Sequence, residues 1–270
     1  MALSAASSKA SNRSKFEDRG IEFRRIDYSE RQSLVEGLRG VENLFFISSN
    51  SNNRPEEHGN LINAAKEAKV KHMWYTSLAY GGFTDTAKFA VQQDHLLTER
   101  LLKESGLTYT SVREGIYTES FCLFLDWYPS REKVLLPGDG EIAFALRSDL
   151  AEATANLMIR GGFENEIVLL TPESTITAQG MVDVINETTG RDVKLEFMSA
   201  KEFLEKTPQG DTRGKPAWWY KMTVECWNEI SKGGLRTTHP LMAELLGREP
   251  TSPREGIRLL LEKNRDHQYF

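Results

Sequence analysis

Leu44-Phe45-Phe46-Ile47-Ser48-Ser49, then Arg54-Pro55-Glu56-Glu57 beyond a polar loop, then His72-Met73-Trp74-Tyr75-Thr76-Ser77, is the stretch that decides the fold. The four apolar residues run unbroken and stop at two serines, the pattern of a strand buried on both faces of a parallel sheet. Pro55 and two acids suit the first turn of a helix, in which Leu61, Ile62, Ala65 and Ala68 recur at helical spacing. A second strand over residues 72–77 closes the unit on a hydroxyl residue. In open α/β sheets ligands bind beyond the carboxyl ends of such strands, so Ser48, Ser49 and Ser77 are expected at one crevice.

The same alternation continues on both sides. Residues 21–26 alternate as a strand ending at Asp27-Tyr28, and Ser29 with Gln32 reads as a capping pattern ahead of Leu34, Val35 and Leu38. Gly81-Gly82-Phe83-Thr84 is a loop, residues 86–105 a helix closed by Gly106, and residues 107–113 a Thr-rich strand. Strand and helix in alternation imply a parallel sheet with right-handed crossovers. From Glu114 the rhythm changes. Aromatic residues cluster over 117–128, and residues 134–145 read as two short strands around Pro137-Gly138-Asp139-Gly140. A helix over 149–159, a strand over 167–170 and a helix over 177–188 resume the pattern. Amphipathic segments at 201–205, 218–230 and 240–246 predict a small, mostly helical substrate-binding region.

With 270 residues the chain can bury a sizeable core. Its 34 basic residues against 39 acidic ones, a formal charge of -5, give no electrostatic reason to expect nucleic acid as a partner. Cys122 and Cys226 have no metal or redox spacing, which predicts two free thiols in a reducing compartment. No apolar run approaches the ~20 residues of a membrane span, so the expectation is a soluble cytoplasmic or nuclear protein without membrane contact. The basic, Ser-rich start through Lys15 has the composition of a transit peptide but lacks an apolar face.

Gly138-x-Gly140-x-x-Ala143 fits a dinucleotide fingerprint in form only. Asp139-Gly140 reads as a hairpin turn, with Phe144 and Leu146 continuing a strand where a phosphate site needs a helix. The Tyr-x-x-x-Lys pair of common short-chain dehydrogenases is absent, so if the chain is an oxidoreductase its acid is another residue or water. His95 is the candidate catalytic residue. It stacks with Val91 and Glu99 on a helix side away from Phe89, Leu96, Leu97 and Leu101, where it is either a proton donor or an exposed histidine paired with Glu99. The other histidines show no metal-ligand spacing, and no metal is expected. Tyr117-Thr118-Glu119-Ser120 follows the strand over 107–113 and suits stacking and hydrogen bonding to a planar ring, or a turn packed for stability. Trp218-Trp219-Tyr220 lines an apolar pocket or a domain contact.

Together these residues carry a resemblance. Val41-Glu42-Asn43-Leu44-Phe45-Phe46-Ile47-Ser48-Ser49, His58-Gly59-Asn60-Leu61-Ile62-Asn63-Ala64-Ala65-Lys66, Tyr75-Thr76-Ser77-Leu78, Tyr117-Thr118-Glu119-Ser120 and Leu245-Leu246-Gly247-Arg248-Glu249-Pro250-Thr251-Ser252-Pro253 resemble the NmrA-like branch of atypical short-chain dehydrogenases. Within it the chain is similar to bacterial NADPH-dependent quinone oxidoreductases. The resemblance implies an α/β fold with a Rossmann-like NAD(P)-binding region over residues 1–125, a return of the chain at 149–172, and substrate binding by 126–148 and 173–270. It implies that Asp27 and Tyr28 flank the adenine, that Ser48, Ser49, Asn60 and Ser77 lie along the cofactor, that Tyr117, Thr118, Glu119 and Ser120 approach the nicotinamide, and that His95 lies near hydride transfer. The implied activity is reduction of a quinone, enone or related carbonyl in secondary metabolism by NADP(H), with NAD(H) left open. The alternatives are a dinucleotide-sensing regulator that engages a protein partner without turnover, or an inactive truncated homologue. Family members begin with a strand and a Gly-x-x-Gly-x-x-Gly turn for the pyrophosphate. This sequence contains neither, nor a basic residue between Ser4 and Ser8 for a 2′-phosphate, and Ala2-Leu3-Ser4 aligns with the end of the second strand. The expected sheet is therefore an N-terminally truncated Rossmann-like one without its central strand.

Overall fold

Alternating apolar and polar residues produce alternating strands and helices in the computed structural model of the chain, which describes residues 2–86, 89–211 and 213–269. In chain order these are β1 (Ser4–Ser7), α1 (Arg13–Glu17), β2 (Glu22–Arg25), α2 (Arg31–Gly37), β3 (Asn43–Phe46), α3 (Arg54–Glu67), β4 (His72–Leu78), α4 (Ala90–Ser105) and β5 (Tyr109–Glu114). There follow α5 (Phe121–Phe124), β6 (Lys133–Leu136), β7 (Glu141–Ile142), α6 (Arg147–Arg160), β8 (Glu166–Leu170), β9 (Ile176–Thr177), α7 (Ala178–Thr189), β10 (Lys194–Phe197), α8 (Ala200–Gly210), α9 (Ala217–Ser231), α10 (Leu241–Leu246) and α11 (Pro253–Lys263). Pro55 sits in the first turn of α3, and Gly106 follows α4 at φ 74°, as the sequence predicts. Residues 87 and 88, in the expected first turn of α4, lie outside the described residues.

The chain forms two compact units, the first made of Met1–Ser77, Gln93–Ser111 and Gly162–Ile167, the second of Leu78–Gln92, Val112–Gly161 and Val168–Phe270. In the first, β1 and β2 pair in parallel from Ser4 opposite Glu22 to Ser7 opposite Arg25. Strand β3 pairs in parallel with β4, Asn43 opposite His72, and the larger sheet has the order β3-β4-β5-β8. Ile26, Leu34, Phe46, Leu61, Met73 and Leu102 form the core of this unit. The core of the second gathers Phe121, Trp127, Phe144, Met181, Trp227 and Ile257.

Strand β3 agrees with the expected loss of its central neighbour and departs from the expected burial on both faces. Among the described residues no ladder joins the β1-β2 pair to β3, which is therefore an edge strand with β4 alone beside it. Phe46 is buried, but Phe45 and Ile47 are 38% and 58% exposed, so the run is not covered on both faces. The expected capping by Ser29 does not occur either. Helix α2 begins after Glu30, and the Ser29 hydroxyl donates instead to Asp27 Oδ1 at 2.7 Å.

The two strands around Pro137-Gly138-Asp139-Gly140 are not a hairpin. Strand β6 pairs in parallel with β10, and β7 pairs antiparallel with β9, so the turn joins two different sheets and no strand continues through Phe144 and Leu146. The glycines serve close packing on α9. A Cβ at Gly140 would stand 2.7 Å from the Ile230 carbonyl oxygen, and Ser231 Oγ donates to the Asp139 carbonyl at 2.6 Å. Strand β10, helix α1 and helix α11 are additional to the sequence reading. Helix α11 is capped by Ser252, whose hydroxyl accepts from the Glu255 amide, and it packs on α7 through Ile257 and Leu261.

Gly140→Ala forces β7 and α9 apart and costs about 1–3 kcal/mol, a fall in melting temperature of several degrees in a thermal scan, whereas a glycine serving only an exposed turn would tolerate the change.

Candidate functional site

Strand β4 is enclosed from His72 to Ser77, and the pleat sends Tyr75 and Ser77 to one face and Thr76 to the other. Thr76 Oγ1 accepts the Ser48 amide at 2.9 Å. Tyr75 and Ser77 meet α4, whose residues 95, 98 and 99 share a side at helical spacing. The Tyr75 hydroxyl lies 2.8 Å from His95 Nδ1. Ser77 and Ser111 both donate to Glu99 Oε1, each at 2.7 Å. Next to them His58 Nε2 accepts the Ser49 amide at 2.9 Å, which places the ring proton on Nδ1, 2.8 Å from Thr98 Oγ1. Thr98 passes its own proton to the Asp94 carbonyl at 3.0 Å.

Burial, reinforced by the nearby Arg54 guanidinium, holds His58 down at about 3, so it stays neutral. Burial also pushes the Tyr75 phenol far above its ordinary value, so it remains a proton donor. His95 and Glu99, each only 7% exposed, are thus buried and not a solvated surface couple. At the end of β3 the Tyr28 hydroxyl donates to the Ile47 carbonyl at 3.1 Å, and Asn60 Nδ2 to the Tyr28 carbonyl at 3.3 Å. Asp27 accepts the Ser29 hydroxyl and amide, which hold its carboxyl below the usual range. Ser49 Oγ donates to the Glu57 carboxylate. The structure therefore gathers Asp27, Tyr28, Ser48, Ser49, Asn60, Ser77 and His95 within the first unit.

The second unit holds Tyr117, Thr118, Glu119 and Ser120. Buried Glu114, at the end of β5, accepts the Tyr117 hydroxyl at 2.8 Å, and desolvation raises its carboxyl to about 7 against that hydrogen bond. The Arg147 guanidinium lies 5.9 Å from the centre of the Tyr117 ring, and its Nε is 3.3 Å from Glu119 Oε1. Glu119 Oε2 is enclosed and has no hydrogen-bond partner among the described residues. Thr118 packs instead against Gly256, and Ser120 Oγ donates to the Tyr117 carbonyl at 2.6 Å, so these two support the turn. Fully buried Arg113 fastens the loop of Gly81 and Gly82 by donating to the Gly82 and Thr84 carbonyls, at 2.7 and 3.0 Å, and to Asp85. Trp218 is exposed on α9 while Tyr220 is buried beneath it.

Residues 2–215 match the model of the NmrA-like family. The chain belongs to the NmrA-like family. An NmrA-like family domain-containing oxidoreductase, flvB of Aspergillus flavus, is 51% identical over 272 residues, covering 99% of this chain and 89% of its own. The structure of the NADPH-dependent quinone oxidoreductase QOR2 of Escherichia coli, complexed with NADPH, is 30% identical with a TM-score of 0.84, over 95% of this chain and 89% of that one. The triphenylmethane reductase of Citrobacter sp. complexed with NADP(H) is 26% identical with a TM-score of 0.81, over 94% and 89%. The Rossmann-like α/β architecture read from the sequence accords with these NmrA-like neighbours.

Sequence reasoning missed Tyr75 and Thr98, read Glu99 only as an exposed partner of His95, and missed Arg113 and Glu114 as members of these clusters in the NmrA-like chain. The signal for the first three was present: a hydroxyl-bearing strand end followed by a helix with His95 and Glu99 one turn apart.

The pH dependence of stability follows from two of these groups. Folded Glu114 keeps its proton up to about 7, where the unfolded carboxyl has lost it from 4.5, so its contribution is full below 4.5 and disappears as pH rises through 7. The span is worth at most about 3 kcal/mol. Neutral His58 acts in reverse, its contribution disappearing as pH falls from 6.5 through about 3. Urea titrations should show the fall in stability between pH 5 and pH 8 flattened in Glu114→Gln; an unaltered slope would contradict the assignment.

Proposed function

We propose that the chain is an NAD(P)H-dependent oxidoreductase that reduces a quinone, enone or related conjugated carbonyl, with NADP(H) as its cofactor and His95 as its proton donor. The observation that carries this reading is buried His95 with its Nδ1 at the Tyr75 hydroxyl, at the carboxyl end of β4. The NmrA-like relatives support it, since QOR2 is a quinone oxidoreductase and both it and the triphenylmethane reductase are complexed with NADP(H). The residues fit such a cofactor. Ser48, Ser49, Asn60, Asp27 and Tyr28 offer hydroxyls, an amide and an aromatic face at the end of β3.

The bound cofactor supplies a hydride. The protein's share is orientation and one proton. When the Tyr75 hydroxyl donates to Nδ1, His95 Nε2 bears a proton that it can pass to the developing oxygen of the substrate; hydride and proton together complete a two-electron, two-proton-equivalent reduction, and a proton taken up from solvent through the Tyr75 contact restores the imidazole. Glu99, held by Ser77 and Ser111, fixes the facing side of α4.

Quinone-dependent oxidation of NADPH should therefore fall by about 10²-fold or more in His95→Gln, with a smaller loss in Tyr75→Phe and NADPH affinity retained in both. An unchanged rate removes His95 from the mechanism. Binding of NADPH to the wild type with no quinone-dependent consumption would replace the enzyme by a sensor.

A further inference from the structure

Arg54 opens helix α3, immediately after the Ser48 and Ser49 loop, and keeps only 9% of its surface accessible. Its Nε and Nη1 are enclosed, and neither has a hydrogen-bond partner among the described residues. Two carboxylates share its helical turn, Glu56 and Glu57, yet among the described residues no ion pair joins Arg54 to either. Glu57 is engaged by Ser49 Oγ instead. The guanidinium lies close enough to His58 and Tyr75 to act on both electrostatically.

Two other buried charges, Arg113 and Asp126, are satisfied within the protein. Arg113 has two carbonyls and Asp85, and Asp126 is held by Arg131 and Lys215. A guanidinium is always charged and carries five donors in a planar fork that matches phosphate geometry. Enclosing part of that fork without an acceptor destabilises the fold unless a ligand completes it. Its position points to which ligand. It lies beyond the carboxyl end of β3, where open α/β sheets bind theirs, at the amino end of a 14-residue helix whose dipole favours negative charge. The Asn53 side chain makes no capping bond to that helix end.

We propose that Arg54 is the phosphate anchor of this chain, its enclosed guanidinium edge binding the pyrophosphate of the dinucleotide. The assignment of the phosphate to a dinucleotide rests on the function proposed above; the anion site itself does not. Arg54 is then left without a protein acceptor because its acceptor is the ligand, and the fold is less stable empty than it could be.

The test uses the full chain in three forms, wild type, Arg54→Met and Arg54→Lys, with thermal melts in the absence and presence of inorganic pyrophosphate and a fluorescence titration with NADPH. Arg54→Met is expected to melt at or above the wild type when ligand-free, because the unpartnered charge is gone. Pyrophosphate should raise the melting temperature of the wild type and not that of Arg54→Met, and the Kd for NADPH should rise at least tenfold. If Arg54→Met does not fold, Arg54→Lys decides, since it keeps the charge but not the fork and should bind pyrophosphate at least tenfold more weakly. A pyrophosphate response that is absent from the wild type, or equal in wild type and variants, overturns the anchor. An Arg54-dependent pyrophosphate response without NADPH binding upholds the anchor and overturns the dinucleotide.

Discussion

Every polar group on β4 between His72 and Ser77 is shut away from water, and each must therefore be satisfied from inside the protein. This constraint arranges the first unit. His72 Nε2 reaches Thr110 Oγ1 at 2.8 Å while its ring stacks on Trp74, Thr76 takes the Ser48 amide, and Tyr75 and Ser77 draw His95 and Glu99 of α4 against the sheet. A helix that would otherwise settle on its leucines alone is held in register by two polar side chains one turn apart. The candidate proton donor is positioned by the same bonds that make the strand's burial tolerable, so its geometry is part of the packing.

The alternating elements were legible because their apolar periods and their Pro and Gly punctuation are local. Pro55, Gly106 and the apolar run at Leu44 mark α3, α4 and β3 without reference to anything distant. What the sequence did not disclose depends on partners far along the chain. The missing neighbour of β3 is expected from the sequence, but the exposure of Phe45 and Ile47 that goes with it among the described residues is encoded by no residue within the strand. Asp139-Gly140 has the composition of a hairpin turn, but Gly140 is fixed by the Ile230 carbonyl of α9, ninety residues later. His95 was placed on the polar side of α4 by its period. The helix does have that side; a strand end bearing Tyr75 and Ser77 makes it a buried one.

The two clusters handle protons in opposite ways. In the first unit burial keeps both His58 and Tyr75 uncharged, and neither changes state near neutral pH. The proton positions along Ser49, His58 and Thr98 are set by a backbone amide at one end and a backbone carbonyl at the other, neither of which can titrate. In the second unit Glu114 sits where a carboxyl is half protonated at neutral pH, with the Tyr117 hydroxyl as its donor. The first arrangement fixes a tautomer; the second stores an exchangeable proton.

Groups left unsatisfied in a fold this thorough are informative by contrast. Arg113 and Arg54 are both buried guanidinium groups. Arg113 is surrounded by the carbonyls of the loop it fastens, and removing it would leave those acceptors without donors. Arg54 Nε and Nη1 have no acceptor among the described residues, so removing them strands none of those residues. Marginal stability leaves little room for a charge of the second kind unless it is repaid on binding. Glu119 is similar, one oxygen being held by Arg147 while the other meets no donor among the described residues. Both groups stand at the start of a helical turn, Arg54 at the first residue of α3 and Glu119 in the turn of residues 118–120, where a charge without a protein partner lowers the stability of the fold.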